Sequence, residues 1–315
     1  MNIAPLISRV ARGKNGSQNL SVQEAADVFH QLLAPGADPL QLGAFLIAQR
    51  MKGECSDELA GFVEAARLHI DAFGTAVAPA GAVDLPCYAG KRRAAHAYLA
   101  AALQARDAGI PIFVHGVEEI EGRITAWQVL REAGVQRAET LSEAVDLLAN
   151  NGIVYADLSD LSPDLFRIYN LRPRLGVRSF ANSVARLLNP MLCSGQLNGF
   201  FHTPYADYMA GANQLLEQPR SLIFMGAEGE PELYADRQKV LVRQQGDQIS
   251  RLCFAEAGLE IYPRSAMELN ALKQQSLAMI HGKLAVRDSV IVTRMLEAFN
   301  WASTGKLPNG WREEE

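Results

Sequence analysis

Cysteine is scarce in this chain, and what there is lies far apart. Four residues in 315, at positions 55, 87, 193 and 253, form no CxxC pair, which argues against both a disulfide framework and a thiolate zinc site. The six histidines are equally dispersed, with no i, i+4 pair on one helix, so a metal held mainly by protein ligands is not expected. No stretch approaches the roughly 18 to 20 uncharged apolar residues that cross a bilayer. The opening MNIAPLISRVARGKNGSQ has too short an apolar run for a secretory signal; a cytoplasmic protein without a membrane partner is the expectation. Overall basicity is also missing: the net charge is −5, so any polyanion would have to meet a local patch.

What is present is ample material for a core, with 49% hydrophobic and 21% charged residues, enough for one large or two medium domains. The first part reads as helices with clear punctuation. Ser21 and Glu24 form a capping box, Pro35-Gly36 ends that helix, Asp38-Pro39 starts the next, Gly53 stops it, and a third follows Ser56. After the small-residue stretch FGTAVAPAGA, short apolar runs (AVDL, IPIFVHG, NGIVYAD, SLIFMG) alternate with helical segments. One of those helices is bracketed by Thr140 and Gly152, and another starts at Ser162-Pro163. The alternation predicts an α/β domain with a mostly parallel sheet and covering helices, behind a small N-terminal all-α domain. KVLVRQ and ISRLCFA read as antiparallel strands, two helices fall near 265–304, and WREEE reads as a solvated tail.

Ligands of open α/β sheets sit at the carboxyl ends of the strands, which directs attention to four loops. The first, PCYAGKRRAA, has a single glycine and places Lys91, Arg92 and Arg93 at a helix start, where the dipole disfavours cations. They read as side-chain phosphate ligands; the alternative is a solvated helix start. The second loop offers His115, Gly116, Arg123 and Thr125 among Glu118, Glu119 and Glu121, and His115 alone also reads as a satisfied loop histidine. The third carries Arg172, Arg174, Arg178 and Arg186, suited to planar phosphate recognition unless they pair with Asp157, Asp160 or Asp164. The fourth holds Glu228, Glu230 and Glu232, which read either as exposed loop acids or as carboxylates for a magnesium ion that bridges phosphates.

Two segments carry a family resemblance. DPLQLGAFLIAQRMKGECSDELAGFVEAAR resembles the N-terminal helical signature of the anthranilate phosphoribosyltransferase and nucleoside phosphorylase type of glycosyltransferase, and LGVRSFANSVARLLNP resembles that family's LGxRTxFNxLGPLxNP. The resemblance implies a helical domain over residues 1–72, completed by helices from about 163–190 and used for dimerisation, and a phosphoribosyltransferase-like α/β domain over 73–315. It implies a chemistry in which magnesium-bound phosphoribosyl pyrophosphate reacts with anthranilate.

The motifs for that chemistry are altered. PCYAGKRR stands in place of the GTGGD phosphate loop, and VHGVEEIEGRITAWQ in place of KHGNRSVSSKSGSAD, keeping His115 and Gly116. HHPAM has become LSPDL, keeping only Pro163, while Arg172 matches the first arginine of VRRELG, a binder of the aromatic acid in the family. DGLDE aligns with EGEPE, so Glu232 remains while Pro231 replaces its partner; LGPL becomes VARL, adding Arg186. In these departures the chain is similar to the divergent YbiB-like branch, which implies a homodimeric nucleic-acid-binding protein, for DNA or RNA and largely independent of sequence. Lys91, Arg92, Arg93, Arg123, Arg172, Arg178 and Arg186 would line its basic groove, with Tyr88 stacking on a base. No cofactor and no anthranilate phosphoribosyltransferase activity are expected on that reading. The alternatives are a transferase acting on another acceptor, with Lys91 and Arg92 as phosphate ligands and Glu228 and Glu232 on magnesium, and a ligand-sensing relic of the fold.

Overall fold

The computed structural model describes residues 2–13, 15–201, 205–237, 239–255, 257–259 and 261–314. Its helical part comprises α1 (Ala4–Val10), α2 (Val22–Leu33), α3 (Pro39–Lys52) and α4 (Ser56–Arg67). The Ser21–Glu24 capping box forms, and Asp38 caps α3 by accepting the N–H groups of Leu40 and Gln41. The aromatic centre of the bundle is Phe29, Phe45, Phe62 and Phe180, with the Phe62 and Phe180 rings stacked at 4.2 Å. Phe180 arrives from more than a hundred residues downstream, so the bundle core is shared with a later segment of chain.

The α/β part follows as β1 (Val83–Cys87), α5 (Ala97–Asp107), β2 (Ile112–Gly116), α6 (Ala126–Leu130), β3 (Arg137–Ala138), α7 (Leu141–Asn151) and β4 (Ile153–Asp157). Four short helices then return the chain to the bundle: α8 (Leu158–Leu161), α9 (Pro163–Tyr169), α10 (Arg172–Leu175) and α11 (Ala181–Leu187). The remainder is β5 (Gly195–Phe200), α12 (Tyr205–Leu215), β6 (Arg220–Met225), β7 (Leu241–Gln245), β8 (Gln248–Cys253), α13 (Leu269–Ile280), α14 (Val286–Thr304) and β9 (Arg312–Glu313). The strands form one sheet in the order β3-β4-β2-β1-β5-β6-β7-β8-β9, parallel from β3 to β6 and antiparallel beyond. Helices α5, α13 and α14 pack together on one face, while α11 and α12 join the sheet to α4.

Three strands escape the sequence pattern, the two-residue β3 and then β5 and β9. Strand β5, GQLNGF, is central and fully buried yet carries two polar side chains, Gln196 and Asn198. Its side chains form an internal network: Gln196 donates to Asp84 at 2.8 Å, while Asn198 and Asn213 donate to Gln196 at 2.6 and 3.0 Å. Paired in this way, with only Asn198 Oδ1 of these amides left without a partner among the described residues, buried amides are compatible with a core strand. The other surprise is the C-terminal end. Trp311 is buried, and Arg312–Glu313 pairs with Leu252–Cys253 at the sheet edge, so residues 311–313 are tied down where a solvated tail was expected.

Candidate functional site

The site lies at the carboxyl ends of β1, β2 and β6. After β1 the backbone turns at Gly90, whose φ of +62° suits glycine. Lys91 then exchanges two backbone hydrogen bonds of 2.8 Å with Ile124, pinning the turn to the loop after β2. Opposite it, the turn after β6 carries Glu228, Glu230 and Glu232. This second turn is seated against glycines: a Cβ on Gly199 would come within 2.4 Å of the Glu230 carbonyl oxygen, and one on Gly226 within 1.8 Å. Glu228 itself adopts φ +59°, an uncommon conformation for a non-glycine residue.

The two turns interlock through charge. Glu230 Oε1 accepts the N–H of Ala89 at 2.9 Å and that of Gly90. Glu228 accepts Arg92 N–H at 3.1 Å, Arg93 N–H at 3.0 Å and the Tyr262 hydroxyl at 3.0 Å. Glu232 forms a buried ion pair with Lys91 and accepts Tyr98 N–H at 3.2 Å. Successive backbone N–H groups of this kind are an anion-binding nest. Here the anions are the protein's own carboxylates. Burial raises Glu230 above its ordinary range, partly offset by the Gly90 N–H and by Arg186. Burial acts on Glu228 too, but the Lys91 charge and the Arg93 and Arg92 amides outweigh it and hold the carboxyl below its usual range.

Several expected site residues stand elsewhere. Lys91 is 0% exposed, donating to Ala95 O at 2.7 Å and to Glu232; it is an internal counter-ion, and its ammonium does not face a ligand. Tyr88 is 1% exposed, its hydroxyl 2.7 Å from His115 Nδ1, and His115 reaches Asp84 through Nε2. This chain of buried polar groups removes Tyr88 as a stacking platform and His115 as a phosphate ligand. Gly116 serves strand packing, because a Cβ there would come within 2.3 Å of Cys87 O. The acids Glu228, Glu230 and Glu232 are buried where exposed loop acids were one reading.

The arginines lie nearer the surface. Arg92, Arg172, Arg174 and Arg178 are exposed, and Arg93, Arg123 and Arg186 are half-buried. Arg123 donates to Gly90 O at 2.8 Å, and Arg93 lies 3.4 Å from Glu228. Arg186 donates to Gly199 O at 3.1 Å and Asn182 O at 2.7 Å, and its guanidinium sits 5.9 Å from the Tyr88 ring centre. Burial, then the charges of Arg172 and Arg186, and further off that of Arg123, lower Arg178; burial lowers Arg123, with Glu228 opposing and Arg92 and Arg93 adding to the shift. The nearby aspartates are engaged elsewhere: Asp160 with Arg137, Asp164 with His69, and Asp157 with Ser159 N–H. Arg93 and Arg123 instead share the buried Glu228, at 3.4 and 3.7 Å, while Arg92, Arg172, Arg178 and Arg186 form no ion pair among the described residues.

The carboxylates do not fit magnesium. Oxygens of Glu228 and Glu232 already accept protein donors, and no cluster of three or more His, Cys, Asp or Glu among the described residues is arranged to hold a metal ion. Among the described residues no helix is long and apolar enough to cross a membrane.

Residues 4–70 match the helical bundle domain of the glycosyl transferase family. The backbone superposes on the crystal structure of anthranilate phosphoribosyltransferase from Thermus thermophilus with a TM-score of 0.77 and 22% identity, over 95% of this chain and 89% of that one. The chain has the anthranilate phosphoribosyltransferase fold. In sequence it is 29% identical to the anthranilate phosphoribosyltransferase of Methanosphaerula palustris, covering 85% of this chain and 78% of that protein. It is 26% identical to the uncharacterized protein YbiB of Escherichia coli K12, covering 84% of each. On this phosphoribosyltransferase scaffold the altered first loop is closed by the glutamate turn. Sequence reading missed the role of Glu230, because nothing local indicates which amides a loop acid will meet; the one available signal was the coincidence of a glycine-poor loop with three alternating glutamates.

Proposed function

We propose that the arginine-lined cleft binds the sugar-phosphate backbone of nucleic acid, largely independently of sequence. The observation that supports this reading is the series of exposed or half-buried arginines Arg92, Arg172, Arg178 and Arg186, none of them ion-paired among the described residues, with Arg93 and Arg123 beside them on Glu228. Such a series favours a polyanion that spans it. The amide nest, already filled by Glu228 and Glu230, leaves long side chains rather than backbone amides for the contact. The test is fluorescence anisotropy of a labelled single strand: affinity should fall steeply with salt, and replacement of Arg92, Arg172 and Arg178 by glutamine should weaken it.

Phosphoribosyl or glycosyl transfer is the second reading, and the names of the relatives and of the structural neighbours support it. A pyrophosphate entering the loop would have to displace the Glu228–Glu230 turn. Calorimetry with phosphoribosyl pyrophosphate and magnesium tests this reading, and binding that is lost without magnesium would favour it over the first. Self-association through the helical domain is a further part of the proposal, supported by exposed Leu40 and Met51 on α3, 80% and 81% accessible, beside a surface groove. Sedimentation of the full chain tests it.

A further inference from the structure

A second recess opens beside the cleft, where the C-terminal half of α3 meets α11 and the start of α12. Its polar lining is Arg50, Arg178, Arg186, Asn182, Ser179 and Ser183, and no carboxylate lines it among the described residues. Arg186 is held in place by its bonds to Gly199 O and Asn182 O. Arg50 stands beside the Tyr205 hydroxyl, which donates to the buried Glu54 at 3.0 Å. Phe201, 49% exposed, and Tyr205 form an aromatic rim.

We propose that this recess is a subsite for a phosphate monoester carried by an aromatic ring, that is, a nucleotide with a terminal phosphate. The chemistry is specific in three respects. Three guanidinium groups gathered without a lining carboxylate call for a multiply charged anion, and planar guanidinium forks suit phosphate oxygens. The recess has a volume of about 100 Å3, which gives room for a phosphate group. The attached base is placed at the rim, against Phe201 and Tyr205, where ring stacking can hold it. Two sources share this chemistry, a free mononucleotide and the phosphorylated end of a strand in the neighbouring cleft. Only the second rests on the nucleic-acid reading.

Calorimetry of the full chain with adenosine 5′-monophosphate, adenosine and inorganic phosphate tests the subsite. The monophosphate should bind at least about tenfold tighter than either fragment, and Arg50→Gln should weaken it by about tenfold or more, as expected for loss of one charge-assisted contact. Ser183→Ala should give a smaller loss in the same direction and provides a second variant should Arg50→Gln not fold. Anisotropy with one strand carrying either a 5′-phosphate or a 5′-hydroxyl separates the sources: a strand-end site gives a phosphate-dependent gain that Arg50→Gln abolishes while leaving the hydroxyl strand unaffected. A monophosphate that binds no tighter than inorganic phosphate, or is indifferent to both variants, overturns the subsite. If the hydroxyl strand binds and the monophosphate does not, the subsite alone fails; if the monophosphate binds and neither strand does, the nucleic-acid reading alone fails.

Discussion

Glu230 and Gly90 stand 140 residues apart in sequence, yet the carboxylate of one accepts the backbone N–H of the other. That bond and its neighbour from Ala89 turn what would be an anion site into part of the fold. Replacing Glu230 with alanine leaves two buried amides without an acceptor, at a cost of about 1–3 kcal/mol each. Urea unfolding should report this loss. Inorganic phosphate should restore part of the stability of Glu230→Ala, by binding the emptied nest, and should have no comparable effect on the parent protein at matched ionic strength.

The Lys91–Glu232 pair should behave as a buried ion pair. Removing one partner strands a charge in the core, and Lys91→Met alone or Glu232→Leu alone should destabilise by about 3–5 kcal/mol. Burial already pushes the Glu232 carboxyl upward against the Lys91 charge. The double replacement should be more stable than either single one, as measured by denaturant midpoints. If Lys91 instead acted at the surface, Lys91→Met would leave stability nearly unchanged.

Acid sensitivity in the helical domain has a defined source. Glu24 is lowered to about 2 by its hydrogen bond from Arg9 and by those from Ser21. A depressed carboxyl contributes stability that is complete above its ordinary value of 4.5 and is lost as pH falls through about 2. Glu24→Gln should therefore be less stable than the parent at neutral pH, with the gap narrowing as pH drops from 4.5 towards 2. Thermal unfolding across that range checks the sign.

Much of the architecture was legible because it rests on local signals. The Ser21–Glu24 box, the Asp38-Pro39 start and the parallel strands β1, β2, β4 and β6 are written in neighbouring residues, and all of them form. Strand β5 was not legible, because its burial depends on amide pairs with Asp84 and Asn213 from other elements. The site divides in the same way. Arginines spaced along 172–186 could be grouped by sequence alone, whereas Lys91 and Arg92, adjacent in the chain, have opposite fates, one buried and the other exposed. Only the distant Glu232 decides that Lys91 turns inward.

The measurement that bears most directly on function is the salt dependence of single-strand binding, for the parent chain and for the Arg92→Gln, Arg172→Gln, Arg178→Gln triple variant. A phosphate-tracking cleft gives an affinity that falls steeply between low and physiological salt, with each lost arginine reducing the logarithmic slope by about 1. Circular dichroism should be the same for both proteins, since these three side chains are exposed. Absence of strand binding at low salt, or a triple variant with the parent's affinity and slope, would contradict a nucleic-acid role for the cleft.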